Sequence, residues 1–471
     1  MSVALRSSRG RGILLASILG SGMAFLDGTV VNVALPALAR GLGADLAGLQ
    51  WTLDAYLLTL CAFLLIGGSL GDRLGRRPMF ELGVVGFAGA SLLCGLSPSV
   101  LTLTLARALQ GLAAALLVPV SLSLVRAELD EEDQGTALGL WTGFSGVSSA
   151  LGPLVGGWLV EAVSWRAIFF LNLPLAAVAV WAARRCIPPR TAIREETPLD
   201  LPGAAAGALA IGGSTYALIE GPSHGWGPVT LASAGVGAVA FAIFLVLERR
   251  PGAMMPLSLF RHPVFSAANG VTLLLYSALG CALFLLMLEL QIGMGLSPVR
   301  AGLTLLPATV LMLLLSPVTG RWGKERGGRW PMALGSAIAA GGFASFLLLR
   351  PGVAWVMVLP GAVLLGLGLS LAVAPLTVVV LDSVSQARAG IAAGVNNAVA
   401  RLAGLLGVAG IPWAAGMAML GTKMDSAVLT RGFHRAVLLC AGLCVGASVA
   451  SLIWVPSRRA GEAPASPAGA A

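Results

Sequence analysis

Asp27, Asp54, Arg107, Glu289 and Arg401 stand inside long runs of apolar residues. A charge in the middle of such a run costs about 3 kcal/mol even on a lenient insertion scale, so each is a candidate for chemistry. Asp27 needs a partner, water or a proton; the alternative is a pore-lining polar residue with no coupling role. Arg107, Gln110 and Gly111, in L-A-R-A-L-Q-G (105–111), share one helical face at i, i+3 and i+4. Arg107 lies ~8 residues into its run, or ~12 Å by helical rise, which is deep for a guanidinium that only snorkels to the outer surface. A carboxyl whose access to a guanidinium and to water changes between states can load a proton on one side and release it on the other.

Further candidates are scattered along the chain. Asp54, in Q-W-T-L-D-A-Y (50–56), is either a second buried acid able to bind a cation or a residue close enough to the outer surface to be solvated. Glu289, in L-E-L-Q (288–291), is a candidate cation or proton site. Asn397 and Arg401 share a face of A-G-V-N-N-A-V-A-R (393–401) at i, i+4 and are expected to line a C-terminal bundle. The three histidines and six cysteines have no metal-ligand spacing, and no Ser/His or Cys/His arrangement suggests catalysis. No G-x-x-x-x-G-K-[ST] occurs, so ATP drive is not supported. Neither an enzyme nor a metal or other cofactor is expected.

The elements that must hold these residues follow from composition. The chain has 471 residues, 57% hydrophobic and 11% charged, with a mean hydropathy of +0.89; a soluble domain is roughly 25% charged. A helix needs ~20 residues to cross a bilayer. On that measure the sequence predicts fourteen spans: 12–36, 48–70, 79–97, 99–125, 136–160, 165–185, 200–220, 228–248, 265–289, 299–320, 330–349, 353–381, 388–416 and 433–455. Of the 30 Lys and Arg, 21 fall in the terminal segments and loops of one face and 7 on the other, with Arg107 and Arg401 inside spans. That bias places both termini in the cytoplasm. The net charge of +9 comes from loop arginines, so nucleic acid is not implied. No cleavable signal is evident. The acidic run Glu128, Asp130–Asp133 is expected to be solvated or paired with basic loops.

Gly67–Pro78 reads G-G-S-L-G-D-R-L-G-R-R-P and links two apolar runs. Gly71 and Gly75 are expected to turn the backbone there, since glycine tolerates positive φ, and the arginines suit a cytoplasmic headgroup region. G-D-R-L-G-R-R-P-M (71–79) is echoed by G-R-W-G-K-E-R-G-G-R-W-P-M (320–332), without the acid. Two related halves with a two-helix insert give the domain division 1–185, 186–260 and 261–456. Residues 457–471 form an Ala/Pro/Gly-rich tail expected to be disordered.

The loop resembles the G-x-L-x-D-R-x-G-R-[KR] signature of the major facilitator superfamily. Gly68, Leu70, Asp72, Arg73, Gly75, Arg76 and Arg77 match it. L-D-G-T-V-V-N-V-A-L-P (26–36) resembles the D-x-T-[IV]-V-N-x-A-L-P stretch of its fourteen-span drug:proton antiporters, through Asp27, Thr29, Val31, Asn32, Ala34, Leu35 and Pro36. Gly139, Gly152, Pro153, Gly156 and Gly157 match that family's antiporter pattern in the fifth span, with Ser148 in place of the middle glycine. W-R-A-I-F-F-L-N-L-P (165–174) resembles a further family stretch with an expected structural role.

The resemblance implies an all-α major facilitator fold, two six-helix bundles plus two extra transmembrane helices. It implies a plasma-membrane exporter of a hydrophobic or amphipathic small molecule in exchange for protons, acting as a monomer in the bilayer. A proton-linked importer or facilitator of a small nutrient is the alternative. By the same resemblance Asp27 and Arg107 carry the proton, and Asp72 gates the cytoplasmic side opposite residues 385–390. Asp54, Glu289, Asn32, Gln110, Asn397 and Arg401 are candidate cargo or second proton sites.

Overall fold

The structure is a computed structural model that describes residues 3–188, 200–250, 253, 255–417, 421 and 424–457. The linker 189–199 and the tail from 458 lie outside the described residues. Fourteen long helices occur among those described. They are α1 (Ser8–Leu42), α2 (Leu46–Leu74), α3 (Arg76–Leu96), α4 (Val100–Glu128), α5 (Glu131–Ala162), α6 (Asn172–Cys186), α7 (Leu201–His224) and α8 (Pro228–Leu247). Then follow α9 (Pro263–Leu288), α10 (Leu306–Arg326), α11 (Arg329–Ser345), α12 (Leu359–Asp382), α13 (Ala389–Ala414) and α14 (Ser426–Trp454). Among the described residues, thirteen helical stretches are long and apolar enough to cross a membrane. α7 has the length, 24 residues, but its alanines, glycines and hydroxyls make it less apolar.

Helix ends in apolar surroundings must satisfy their own backbone groups. Ser7 caps α1 by accepting from the Gly10 N–H at 3.0 Å. Asp45 caps α2 through Gly48 at 2.9 Å, and Asp200 caps α7 through Gly203 at 2.9 Å. Ser99 and Thr102 form a capping box on α4, which fixes the break at Ser97-Pro98-Ser99. In the acidic run, Glu131 and Glu132 are exposed. Asp133 Oδ2 accepts from the Leu5 N–H at 2.7 Å, so its partner is main chain and not a basic loop.

The charged loop is shorter than the sequence suggests. α2 continues through Leu74, so Gly71, Asp72 and Arg73 are helical and the chain turns at Gly75 alone, with φ 98° and ψ 132°. Gly71 serves packing instead: a methyl group there would stand 2.5 Å from Val120 Cγ2 on α4. Gly68 lies against Pro119, 3.5 Å from such a methyl. The side chain of Asp72 lies outside what is described. Arg77 donates to Glu81 Oε1 at 3.0 Å and to the Ile187 carbonyl at 2.9 Å, and Arg184 reaches the other oxygen of Glu81 at 3.1 Å. These bonds hold the end of α6 to the start of α3. The echo repeats the geometry: α10 is followed by Gly327 as its C-cap, φ 86°, and α11 starts at Arg329 with Pro331 in its first turn, as Pro78 is in α3.

The chain divides into two compact units. The first holds residues 1–254, 286–303 and 416–429, and the second holds 255–285, 304–415 and 430–471. In the first, the apolar core gathers Ile13, Met23, Tyr56, Phe80, Phe87 and Leu117. In the second, helices approach through small residues: a methyl at Gly335 on α11 would stand 2.6 Å from the Gly368 carbonyl of α12.

Candidate functional site

Within the first unit, Asp27 lies on α1 and is fully buried, as is Arg107 on α4 (0% and 1% exposed). One Arg107 terminal nitrogen donates to Asp27 Oδ2. The same nitrogen donates to Gln110 Oε1 at 2.6 Å. Gln110 Nε2 donates to Asp27 Oδ1 and to Ser91 Oγ, both at 2.8 Å. Asn172, on the first turn of α6, donates to Ser91 Oγ at 3.2 Å and approaches Asp27 Oδ1 at 3.4 Å. Arg107 Nε donates to the Thr52 carbonyl of α2 at 3.0 Å. The Tyr56 ring lies 4.3 Å from its guanidinium carbon, a cation–π contact, and Tyr56 is itself held by donation to the Ala24 carbonyl at 3.2 Å.

Local sequence explains the assembly. Gly111 has no side chain, and a methyl there would run into Thr59 Oγ1 and the Tyr56 carbonyl; its absence lets α4 approach α2 closely enough to stack Arg107 on Tyr56. Thr59 completes the contact by donating to the Ala108 carbonyl at 2.8 Å. α5 seats α1 by the same means. A methyl at Gly152 would strike Thr29 Oγ1, and one at Gly156 would stand 2.6 Å from Val30 Cγ2. Thr29 donates to the Ser149 carbonyl at 3.0 Å. The carbonyl of Pro153 faces Gly302, and Gly157 packs on the Pro298 carbonyl. Gly152 and Gly156 of the fifth helix thus fix the turn of α1 that follows Asp27.

The expected sites fall into two groups. Asp27, Arg107 and Gln110 meet; spacing places Arg107 and Gln110 on one helical face, while Asp27 comes to them from α1. Asn32 does not join them; its side chain is half-buried and donates to the Gly28 carbonyl at 3.3 Å. Glu289 is fully buried and opens a π-helical turn, Glu289–Gly293, that extends α9. In that turn Gln291 donates to the Val33 carbonyl of α1 at 2.8 Å. Asp54 is 0% exposed, which rules out the solvated alternative, and it does not touch the Asp27 network. On α13 the two neighbouring asparagines differ: Asn397 is exposed, while Asn396 donates to Asn269 Oδ1 at 3.1 Å and Thr272 Oγ1 at 2.7 Å. Arg401 is half-buried. Three contributors were not singled out from sequence: Ser91, Tyr56 and Asn172. Asn172 carried a signal, being an amide in the apolar stretch 165–174.

Membrane-length helices packed through glycine, around a sealed acid–guanidinium pair, are the make-up of a polytopic membrane transporter. The chain belongs to the Major Facilitator Superfamily, whose family model matches residues 17–408. It is 35% identical over 398 residues to the tetracenomycin C resistance and export protein of Streptomyces glaucescens, covering 84% of this chain and 74% of that one. It is 35% identical over 412 residues to the methylenomycin A resistance protein of Bacillus subtilis, covering 86% and 87%. Among solved structures it resembles a peptide transporter POT in complex with sulfate, with a TM-score of 0.72 over 96% of each chain at 16% identity, a likeness of fold.

Proposed function

We propose that this protein exports a hydrophobic or amphipathic drug, antibiotic or secondary metabolite in exchange for protons. The observation that carries the reading is the buried Asp27–Arg107–Gln110 network. An ion pair sealed from water is a poor means of stability, because desolvation offsets much of the attraction, and in a membrane transporter it suits a site that opens and closes. Relatives named for resistance to and export of antibiotics support the direction of transport. Asp27 takes and releases the proton, Arg107 is its mobile counter-charge, and Gln110, Ser91 and Asn172 hold the carboxyl in place. Asp72 belongs to the cytoplasmic gate. The protein works as a monomer.

The test is transport by purified protein in liposomes with ethidium, a fluorescent lipophilic cation, and a panel of aromatic antibiotics as cargo. An imposed pH gradient is expected to drive cargo against the proton flow, and a protonophore to stop it. Cargo movement indifferent to the gradient would overturn proton exchange.

α7 is the fourteenth span in this reading, inserted with α8 between two six-helix halves in the inner membrane, with both termini cytoplasmic. A thiol introduced as Thr191→Cys is expected to react with an impermeant reagent only from the cytoplasm, and Lys423→Cys only from outside. Both reacting from one side would sink that topology.

A further inference from the structure

Asp54 is a buried carboxyl that the exchange mechanism above does not use. It is 0% exposed, and neither carboxyl oxygen has a hydrogen-bond partner. Its place on α2 shows what buries it. Thr52 and Tyr56, two residues to either side, belong to the face turned to α1 and α4, so Asp54 points the other way. Trp51 and Leu58, three residues before and four after, share its face. Both meet α7. Trp51 Nε1 donates to Glu220 Oε1 at 2.6 Å, its ring lies 6.0 Å from that of Tyr216, and Leu58 Cδ1 stands 3.8 Å from a methyl placed on Gly212. The two helices run antiparallel. Pairing Trp51 with Glu220 and Leu58 with Gly212 sets Asp54 level with Tyr216, within two residues of Thr215.

Thr215 is the second observation. It is 0% exposed and its hydroxyl also has no partner. It does not face α8, whose contacts fall on Gly213 and Ser214: a methyl at Gly213 would stand 2.6 Å from the Ser233 carbonyl, and one at Gly237 would stand 3.0 Å from Ser214 Oγ. Two buried polar groups without partners therefore lie at one level of the α2–α7 seam. α7 carries no Lys or Arg, and α2 none before Arg73. Of the other charged groups on helices packed against α2, Arg107 is committed to Asp27 and to the Thr52 carbonyl. Glu220 is tied to Trp51 and to His224, the latter at 2.8 Å. Arg40 at the end of α1 is exposed and Arg77 on α3 is paired with Glu81; among the described residues none of these cations is paired with Asp54, and an uncompensated buried charge is far costlier than a neutral acid.

We propose that Asp54 and Thr215 form a second proton-binding site, in which Asp54 is a neutral acid with the Thr215 hydroxyl as its hydrogen-bond partner. A neutral carboxyl has one O–H to donate, and a hydroxyl both donates and accepts, so a hydrogen bond between the two would satisfy both groups. The inserted helix α7 closes this site: without it the Asp54 face of α2 would meet lipid, where an acid has neither partner nor water.

Infrared spectra of the purified protein in lipid, in water and in heavy water, test this without any cargo. The wild type is expected to show a carbonyl band of a protonated carboxyl at neutral pH. Asp54→Asn abolishes the band, Asp27→Asn keeps it, Thr215→Val shifts it to higher frequency, and Ser214→Ala leaves it in place. An unchanged band in folded Asp54→Asn protein overturns the site. If that variant does not fold, the shift in Thr215→Val decides, and an unmoved band there overturns it. The outcome is separate from that of the transport assay: a gradient that fails to drive cargo removes proton exchange and leaves the Asp54 band standing.

Discussion

Asp27→Asn is expected to abolish pH-gradient-driven transport while cargo binding stays detectable. The amide has nearly the volume of the acid, so the packing of α1 against α4 and α5 survives. It can still accept from Arg107 or from Gln110 through its one oxygen. What it loses is the ability to exist in two charge states. An opposite charge within ~4–6 Å favours an ionised acid, whereas burial without one favours the neutral form. In the exchange proposed above, alternating exposure would move Asp27 between those conditions as α4 shifts Arg107, and cargo binding coupled to proton release would make each flux depend on the other. An amide breaks that link at its origin. The comparison is made in proteoliposomes with ethidium, wild type against variant, alongside equilibrium binding in detergent. Full gradient-driven transport by the variant would move the proton site off Asp27.

The pair was legible because a charge in an apolar run stands out, and because Arg107 and Gln110 keep helical spacing. The network around it was less so. Ser91 is one small hydroxyl among several in apolar helices, and such groups can return their bond to the preceding turn, as Ser21 does to the Ser17 carbonyl; nothing in the sequence separates the two uses. Asn396 and Asn397 are one residue, hence ~100° of helix rotation, apart, and choosing between them needs the orientation of α13. Long helices cover the apolar runs, but several of their ends were read too short, α1 running on to Leu42 and α14 starting at Ser426. α1 begins at Ser8 and α5 at Glu131, a turn or more before the apolar runs, since Arg9, Arg11 and Glu131 to Asp133 continue a helix as readily outside the bilayer as in it. Hydropathy measures membrane thickness, not helix length. Gly71 and Gly75 looked equivalent as turn glycines; only the second has positive φ, because the first is needed flat against Val120.

Removing Arg107 alone is expected to destabilise the protein far more than removing both members of the pair. Arg107→Leu leaves Asp27 buried without its counter-charge, and breaking a buried pair from one side costs about 3–5 kcal/mol. It also frees the Thr52 carbonyl and the Tyr56 ring. Arg107→Lys keeps the charge but not the fork that reaches Asp27, Gln110 and Thr52 together, so it should retain part of both stability and transport. The double variant Asp27→Asn with Arg107→Leu restores most of the stability, since replacing a whole buried pair by neutral groups is often close to neutral, yet it remains inactive. Thermal unfolding can be followed with a thiol-reactive dye, because Cys61 and Cys94 in the same unit are buried, and the four proteins form a thermodynamic cycle. A double variant as unstable as Arg107→Leu would mean that Arg107 acts through Thr52 and Tyr56 and not through Asp27. The separation of stability from transport in the double variant is what distinguishes a coupling pair from a structural one.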